Sequence, residues 1–136
     1  MKRIGVAVIA ALTLLLGAGP ALAGSPHFVT ADASRSGNTL SVAFKEAGLG
    51  NEAQVHVVLS ADALCINGGG KHPKAVNKES VQAADDFPVQ NGRAEGTLEV
   101  TATFKPDCSP PMTVQFTNVS LVDETSGARA NIPGTF

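Results

Sequence analysis

Apolar and polar side chains alternate with a period of two in three separate stretches, and that period constrains the fold more than any other feature. Leu40, Val42 and Phe44 share one side of the first stretch, with Ser41 and Ala43 on the other. Leu98, Val100, Ala102 and Phe104 stand opposite Glu99, Thr101 and Thr103, and Met112, Val114 and Phe116 opposite Thr113, Gln115 and Thr117. Successive side chains of an extended chain point to opposite faces, so each stretch reads as a half-buried strand. Val55–Leu59 is more apolar and reads as a more central strand. Phe28–Ala33, Pro88–Gln90 and Val119–Val122 are weaker candidates.

Turn chemistry separates these runs at Ser36-Gly37-Asn38, Gly48–Asn51, Asn91-Gly92 and Ser126-Gly127, because glycine and asparagine accept backbone angles that close tight reversals. No stretch of about ten or more residues carries a helical period, and Glu79–Asp86 is read as one helical turn at most. Pro106, Pro110 and Pro111 flank Cys108 and fit a rigid crossing between strands better than a strand interior. The expectation is an all-β fold, a single antiparallel immunoglobulin-like β-sandwich of about seven strands.

That domain is expected to begin after a leader. Met1-Lys2-Arg3 is a short positive start, Ile4–Leu16 is uncharged and apolar, and Gly17, Gly19 and Pro20 break the run ahead of Ala21-Leu22-Ala23. This is the three-part pattern of a secretory signal peptide, cleaved after Ala23, and the apolar run is too short for a membrane anchor. Residues 1–23 are thus read as signal peptide and 24–136 as the secreted, extracellular domain, with no membrane attachment after cleavage. The chain has 10 basic and 12 acidic side chains, so losing Lys2 and Arg3 leaves an acidic domain. An acidic balance argues against nucleic acid as a partner.

The chain's 2 cysteines are Cys65 and Cys108. In an oxidising compartment such a pair is expected to form a disulfide. The competing reading, a pair of metal-binding thiolates, has only His72 nearby as a further ligand, so no metal site is expected.

Between Cys65 and Lys78 the strand pattern lapses. Gly68, Gly69 and Gly70 open backbone geometries closed to other residues, Pro73 stiffens the chain after them, and Lys71, Lys74 and Lys78 gather positive charge around His72. Asn67, Gly69, Gly70, Lys71, His72, Pro73, Lys74, Asn77 and Lys78 are the candidate binding loop. Cys65, Asn67, Gly69-Gly70, Pro73, Ala75 and Asn77-Lys78 form a C-x-N-x-G-G-x-x-P-x-A-x-N-K pattern, and here the chain resembles a group of small secreted actinobacterial proteins. Asn91-Gly92, Cys108-Ser109-Pro110 and Phe116–Leu121 extend the likeness over most of the chain. The resemblance implies a disulfide-tied β-sandwich and carries no established activity. A second likeness, in Gly70-Lys71-His72-Pro73, is to secreted subtilisin inhibitors, which hold two disulfides and a cysteine-flanked reactive loop.

Catalytic signatures are few. His56 lies between Val55 and Val57 and is read as a strand histidine facing away from them, while His27 sits near the start of the domain. No Gly-x-Ser-x-Gly elbow occurs, and the glycines before Lys71 lack the spacing of a phosphate loop. Asp85-Asp86 reads as an exposed pair at a turn, without the acidic spacing of a calcium loop. Glu95 and Glu99 read as a solvated strand face, and the Asn118-Val119-Ser120 sequon falls inside a strand. With 0 Trp and 0 Tyr the chain lacks the rings on which sugar-binding modules stack bound rings. No catalytic residue and no cofactor is expected. The reading is a secreted, non-enzymatic module that binds an acidic cell-envelope polymer or a protein partner through the 65–78 loop. The alternative is an extracellular protease inhibitor with Lys71 or Lys74 entering a basic-specific pocket.

Overall fold

A computed structural model describes residues 25–67 and 75–136, and the side chains of Ala75 and Val76 fall outside the description. Its elements are β1 (His27–Ser36), β2 (Thr39–Ala47), β3 (Gln54–Ile66), β4 (Ala75–Pro88), β5 (Ala94–Thr101), β6 (Thr113–Asp123) and β7 (Arg129–Ile132). They form two sheets, β1-β2-β5 and β4-β3-β6-β7, with every pairing antiparallel. The two sheets pack face to face as a β-sandwich, as the alternation requires. β4 closes against β5 along one flank and β1 against β7 along the other.

The periodic residues build the core. Leu40, Val42 and Phe44 of β2 and Leu98 and Val100 of β5 face Val55, Val57 and Leu59 of β3 and Val114, Phe116 and Leu121 of β6. Burying each such side chain stabilises the fold by about 1.5–3 kcal/mol. The Val55–Leu59 run is part of the 13-residue β3, which lies between β4 and β6 and is central as expected. Ala102, whose amide donates to the Asn38 carbonyl at 2.9 Å, and Phe104 stay buried beyond the last residue of β5, so the alternation outlasts the strand.

Four expectations are corrected. Glu79–Asp86 makes no helical turn but lies in β4, where Ser80 pairs with Asp62 and Asp86 with His56. Pairing with a long central neighbour overrides the weak local preference of an Ala- and Asp-rich segment. Asp85-Asp86 therefore sits in a strand and not at a turn. The Met112–Phe116 run, from Thr113 on, and the Val119–Val122 run are one strand, β6, interrupted by Asn118 at φ 51°. Pro88–Gln90 is no strand: β4 ends at Pro88, and Gln90 bridges Arg93 alone. Asn91 and Gly92 at φ 53° and 72° fill that two-residue reversal, both at the positive angles a type I′ turn demands.

The β4–β5 flank depends on a glycine. Phe87 packs edge-on against Phe44 with ring centroids 4.9 Å apart, and Phe44 edge-on against Phe28 at 5.8 Å. The Phe87 ring lies directly against Gly96 of β5, where a β-carbon would overlap it. Gly96→Ala is expected to cost about 1–3 kcal/mol by displacing that ring. A urea midpoint equal to that of the parent protein would show that Phe87 repacks freely.

Candidate functional site

Strand directions fix which residues gather at each end of the sandwich. The β1–β2, β3–β4 and β5–β6 connections lie at one end, here the hairpin end. The β2–β3, β4–β5 and β6–β7 connections lie at the other. Cys65, one residue before the end of β3, is disulfide-bonded to Cys108 of the β5–β6 connection, Cα–Cα 5.7 Å. The bond crosses from β3 to the chain that leaves the other sheet. Both sulfurs are consumed by it, so the thiolate alternative falls away.

Of the candidate loop, Asn67, Asn77 and Lys78 are placed. Gly69, Gly70, Lys71, His72, Pro73 and Lys74 lie outside the described residues. Asn67 is exposed at the end of β3, and Asn77 pairs with Cys65. Lys78 projects from β4 with Nζ 3.5 Å from Asp62 Oδ2.

The outer face of the four-stranded sheet is polar but for one apolar row across its middle. Register places Ser80 beside Asp62, then Gln82 beside Ser60, Ser120 and Asn131, then Ala84 beside Val58 and Val122, then Asp86 beside His56. Asp62 is the hub of the upper part. Ser80 Oγ donates to its Oδ1 at 3.2 Å, and Asn118 Nδ2 to its Oδ2 at 2.9 Å. The Asn118 bond, helped by Lys78 and Ser80, holds the Asp62 carboxyl below the usual range and so keeps it ionised. Gln82 Nε2 donates to Ser60 Oγ at 3.1 Å.

At the lower margin His56 faces out, as the sequence placed it. Its Nδ1 is 2.7 Å from Asp86 Oδ1 and its Nε2 4.0 Å from Glu124 Oε2. The bond to Asp86 raises the imidazole pKa, with Glu124 and Asp85 adding to it. Its register partner on β4 is thus one of the two aspartates that read as a turn. A histidine clamped to a carboxylate resembles half of a nucleophile-activating pair. His56 has a second carboxylate at its far nitrogen where such a pair needs a hydroxyl or thiol. His27, also exposed and at the same end of the sandwich, has Nδ1 2.8 Å from the Ser25 carbonyl.

A further polar cluster is buried and was not anticipated. Glu46 of β2 and Asp123 of β6 are 1% and 0% exposed, one from each sheet. Ser126 Oγ bridges them, 3.1 Å from Glu46 Oε1 and 2.5 Å from Asp123 Oδ2. Asp123 Oδ1 also accepts from the Thr125 and Ser126 amides at 2.8 and 3.2 Å, which closes the β6–β7 turn. Burial, then the hydrogen bond and charge of Asp123, push the Glu46 pKa up to about 8, so at neutral pH this carboxyl holds its proton. As an anion Glu46 would leave Oε2 buried without a partner; as an acid it donates to Asp123. With both carboxyls buried and the half-buried Ser126 between them, the cluster works as a clasp between the sheets.

Among the described residues no group of three or more His, Cys, Asp and Glu side chains is arranged to hold a metal ion, and no helix is long and apolar enough to cross a membrane. Comparison of the chain with protein-family models, with curated proteins and with solved structures gives no match in any of the three.

Proposed function

We propose that this protein is a secreted, non-enzymatic binding module that holds an acidic cell-envelope polymer at the hairpin end. Its leader is cleaved after Ala23, in keeping with the actinobacterial group that its Cys65–Lys78 motif resembles. The observation that carries the reading is the uneven placement of charge. The end opposite the hairpins exposes Glu52, Asp85, Asp86, Glu95 and Glu124 against Lys45, Arg93 and Arg129. The hairpin end exposes Arg35, Lys78 and Lys105 against Glu99 and Asp107, with Lys78 paired to Asp62, and chain order adds Lys71 and Lys74 between β3 and β4. The acidic surplus of the domain therefore sits away from the lysines, and an anionic polymer meets the basic end first. The disulfide supports this reading by fixing the strand from which the lysine-bearing segment departs, on a rigid scaffold of the kind that carries functional loops.

The test is capture of isolated cell envelope by the exported protein, beside a Lys71→Ala/Lys74→Ala/Lys78→Ala variant and a salt series. Capture is expected to weaken at least about tenfold in the variant and to fade as salt rises from 0.05 to about 0.5 M, since exposed charge contacts are screened. Equal capture by parent and variant would end the proposal. Stoichiometric inhibition of trypsin, lost in the same variant, would move the function to the inhibitor alternative.

A further inference from the structure

The sheet β4-β3-β6-β7 is broken on both sides of β6 at one level. Towards β3 the register shifts between Ser60 and Asp62: Ser60 pairs with Ser120, and Asp62 with Thr117, so β6 has one residue more. Towards β7 the last paired residues are Val119 and Ile132. Pairing resumes where Phe116 and Phe136 exchange backbone hydrogen bonds of 2.9 and 3.0 Å. Between these points β6 has Thr117 and Asn118, while the facing chain has Pro133, Gly134 and Thr135. Asn118 occupies the centre of both irregularities at φ 51°, an angle that asparagine tolerates better than most residues. Bulges redirect side chains, and they recur beside binding and catalytic sites.

The double break opens a recess of about 790 Å³ lined in about equal part by polar groups of Thr117, Asn118, Ser120 and Asn131 and by apolar surface that includes Ile132 and Pro133. Across Asn118 lies a second hollow of about 390 Å³, lined by Ser60, Asp62, Ser80 and Gln82. Both volumes lie in the range of small-molecule sites. The larger hollow presents hydroxyls and amides, each able to donate and accept, and no charged side chain lines it. Asp62 engages the Asn118 amide nitrogen at 2.9 Å and so fixes the orientation of that side chain.

We propose that this paired recess is a binding site for a neutral saccharide, recognised by hydrogen bonds to its hydroxyls. An anion finds no cation in the larger hollow, and an apolar ligand would strip its hydroxyls and amides of water without replacing those bonds. A sugar ring offers donors and acceptors at matching density. Lacking Trp and Tyr, the site has no broad aromatic stacking surface, and its dissociation constant for a trisaccharide is expected to be about 1 mM. None of the hairpin-end lysines lines the larger hollow, and Lys78 touches the smaller one only through Asp62, so binding in the larger hollow can fail without loss of the lysine-dependent capture, and the reverse.

Amide chemical shifts of the isotope-labelled protein, titrated with chitotriose, cellotriose and maltotriose to about 10 mM, test the proposal. At least one sugar is expected to move the amides of 117–120 and 131–135, with Asp62 responding through Asn118. Asn118→Gly keeps the positive angle open and removes the side chain, so it is expected to fold normally and bind about tenfold more weakly. Ser120→Val, on the same wall, is expected to weaken binding in the same direction. No response to any of the three sugars overturns the site. So does equal binding by parent and Asn118→Gly, or a response confined to Lys78 and the neighbouring loop.

Discussion

Reducing the Cys65–Cys108 disulfide, or replacing both cysteines by serine, is expected to destabilise the domain by about 4 kcal/mol. The bond closes a segment of 43 residues, and confining such a loop in the unfolded chain removes entropy of that order. The figure is a large share of the 5–15 kcal/mol that holds a typical domain together. The melting temperature should fall by more than about 15 °C, since about 1 kcal/mol moves a domain of this size by 4–8 °C. The β-rich far-ultraviolet spectrum should persist at low temperature, because the strands are paired and packed independently of the sulfurs. The comparison requires oxidised and reduced protein under identical buffer, with thiols counted by intact mass. A melting point that moves by less than about 3 °C would mean that the loop is already constrained in the unfolded chain, or that strain in the folded state offsets the gain.

The strands that the sequence displays most clearly are those with one dry face and one wet one. In β2, β5 and β6 most of the buried apolar residues have a polar neighbour such as Ser, Thr, Glu or Gln, and the period survives to the eye. β4 hides because Val81 and Ala83, the inward residues of its middle, are modest in size and half-buried, its one large inward residue Phe87 stands next to its end, and Ala84 blurs its outward side. An edge strand has one neighbour, so fewer of its residues need be strongly apolar. β7 has 4 residues and cannot show a period at all. The bulge at Asn118 is invisible for another reason: it joins two runs that alternate in opposite phase, which reads as two strands with a break.

The polar constellations show the same limits. His56 and Asp86 are 30 residues apart and meet only because β3 and β4 are in a particular register. The clasp is different, since a signal for it exists. Continuing Leu40, Val42, Phe44 by one step lands on Glu46, and continuing Val119, Leu121 lands on Asp123. The alternation thus places both carboxyls inside. Lys45-Glu46-Ala47 reads as a charged strand end when taken by composition, and only the period contradicts that.

Stability is expected to fall as pH rises from about 4.5 to 8, and Glu46→Gln is expected to flatten the fall. Below pH 4.5, the ordinary value for Glu46, folded and unfolded chains both hold its proton, and its contribution is complete. Between 4.5 and about 8 the unfolded chain releases the proton and the folded chain keeps it, so each pH unit costs about 1.4 kcal/mol. Above about 8 the loss is complete, near 5 kcal/mol in order of magnitude. His56, whose pKa is also raised, adds a loss of the same sign as pH rises through its folded value. A His56→Gln control separates the two. Asp62 works in the opposite sense, its contribution present above 3.8 and lost as pH falls through its lowered value. Glutamine at position 46 keeps a carbonyl for Ser126 and a donor for Asp123 and cannot ionise, so the clasp persists at every pH. Denaturant midpoints measured from pH 4.5 to 9 on parent, Glu46→Gln and His56→Gln give the answer. A parent midpoint that stays level across that range would show that Glu46 is ionised in the folded protein, with a cation or water reaching Oε2 inside the sandwich.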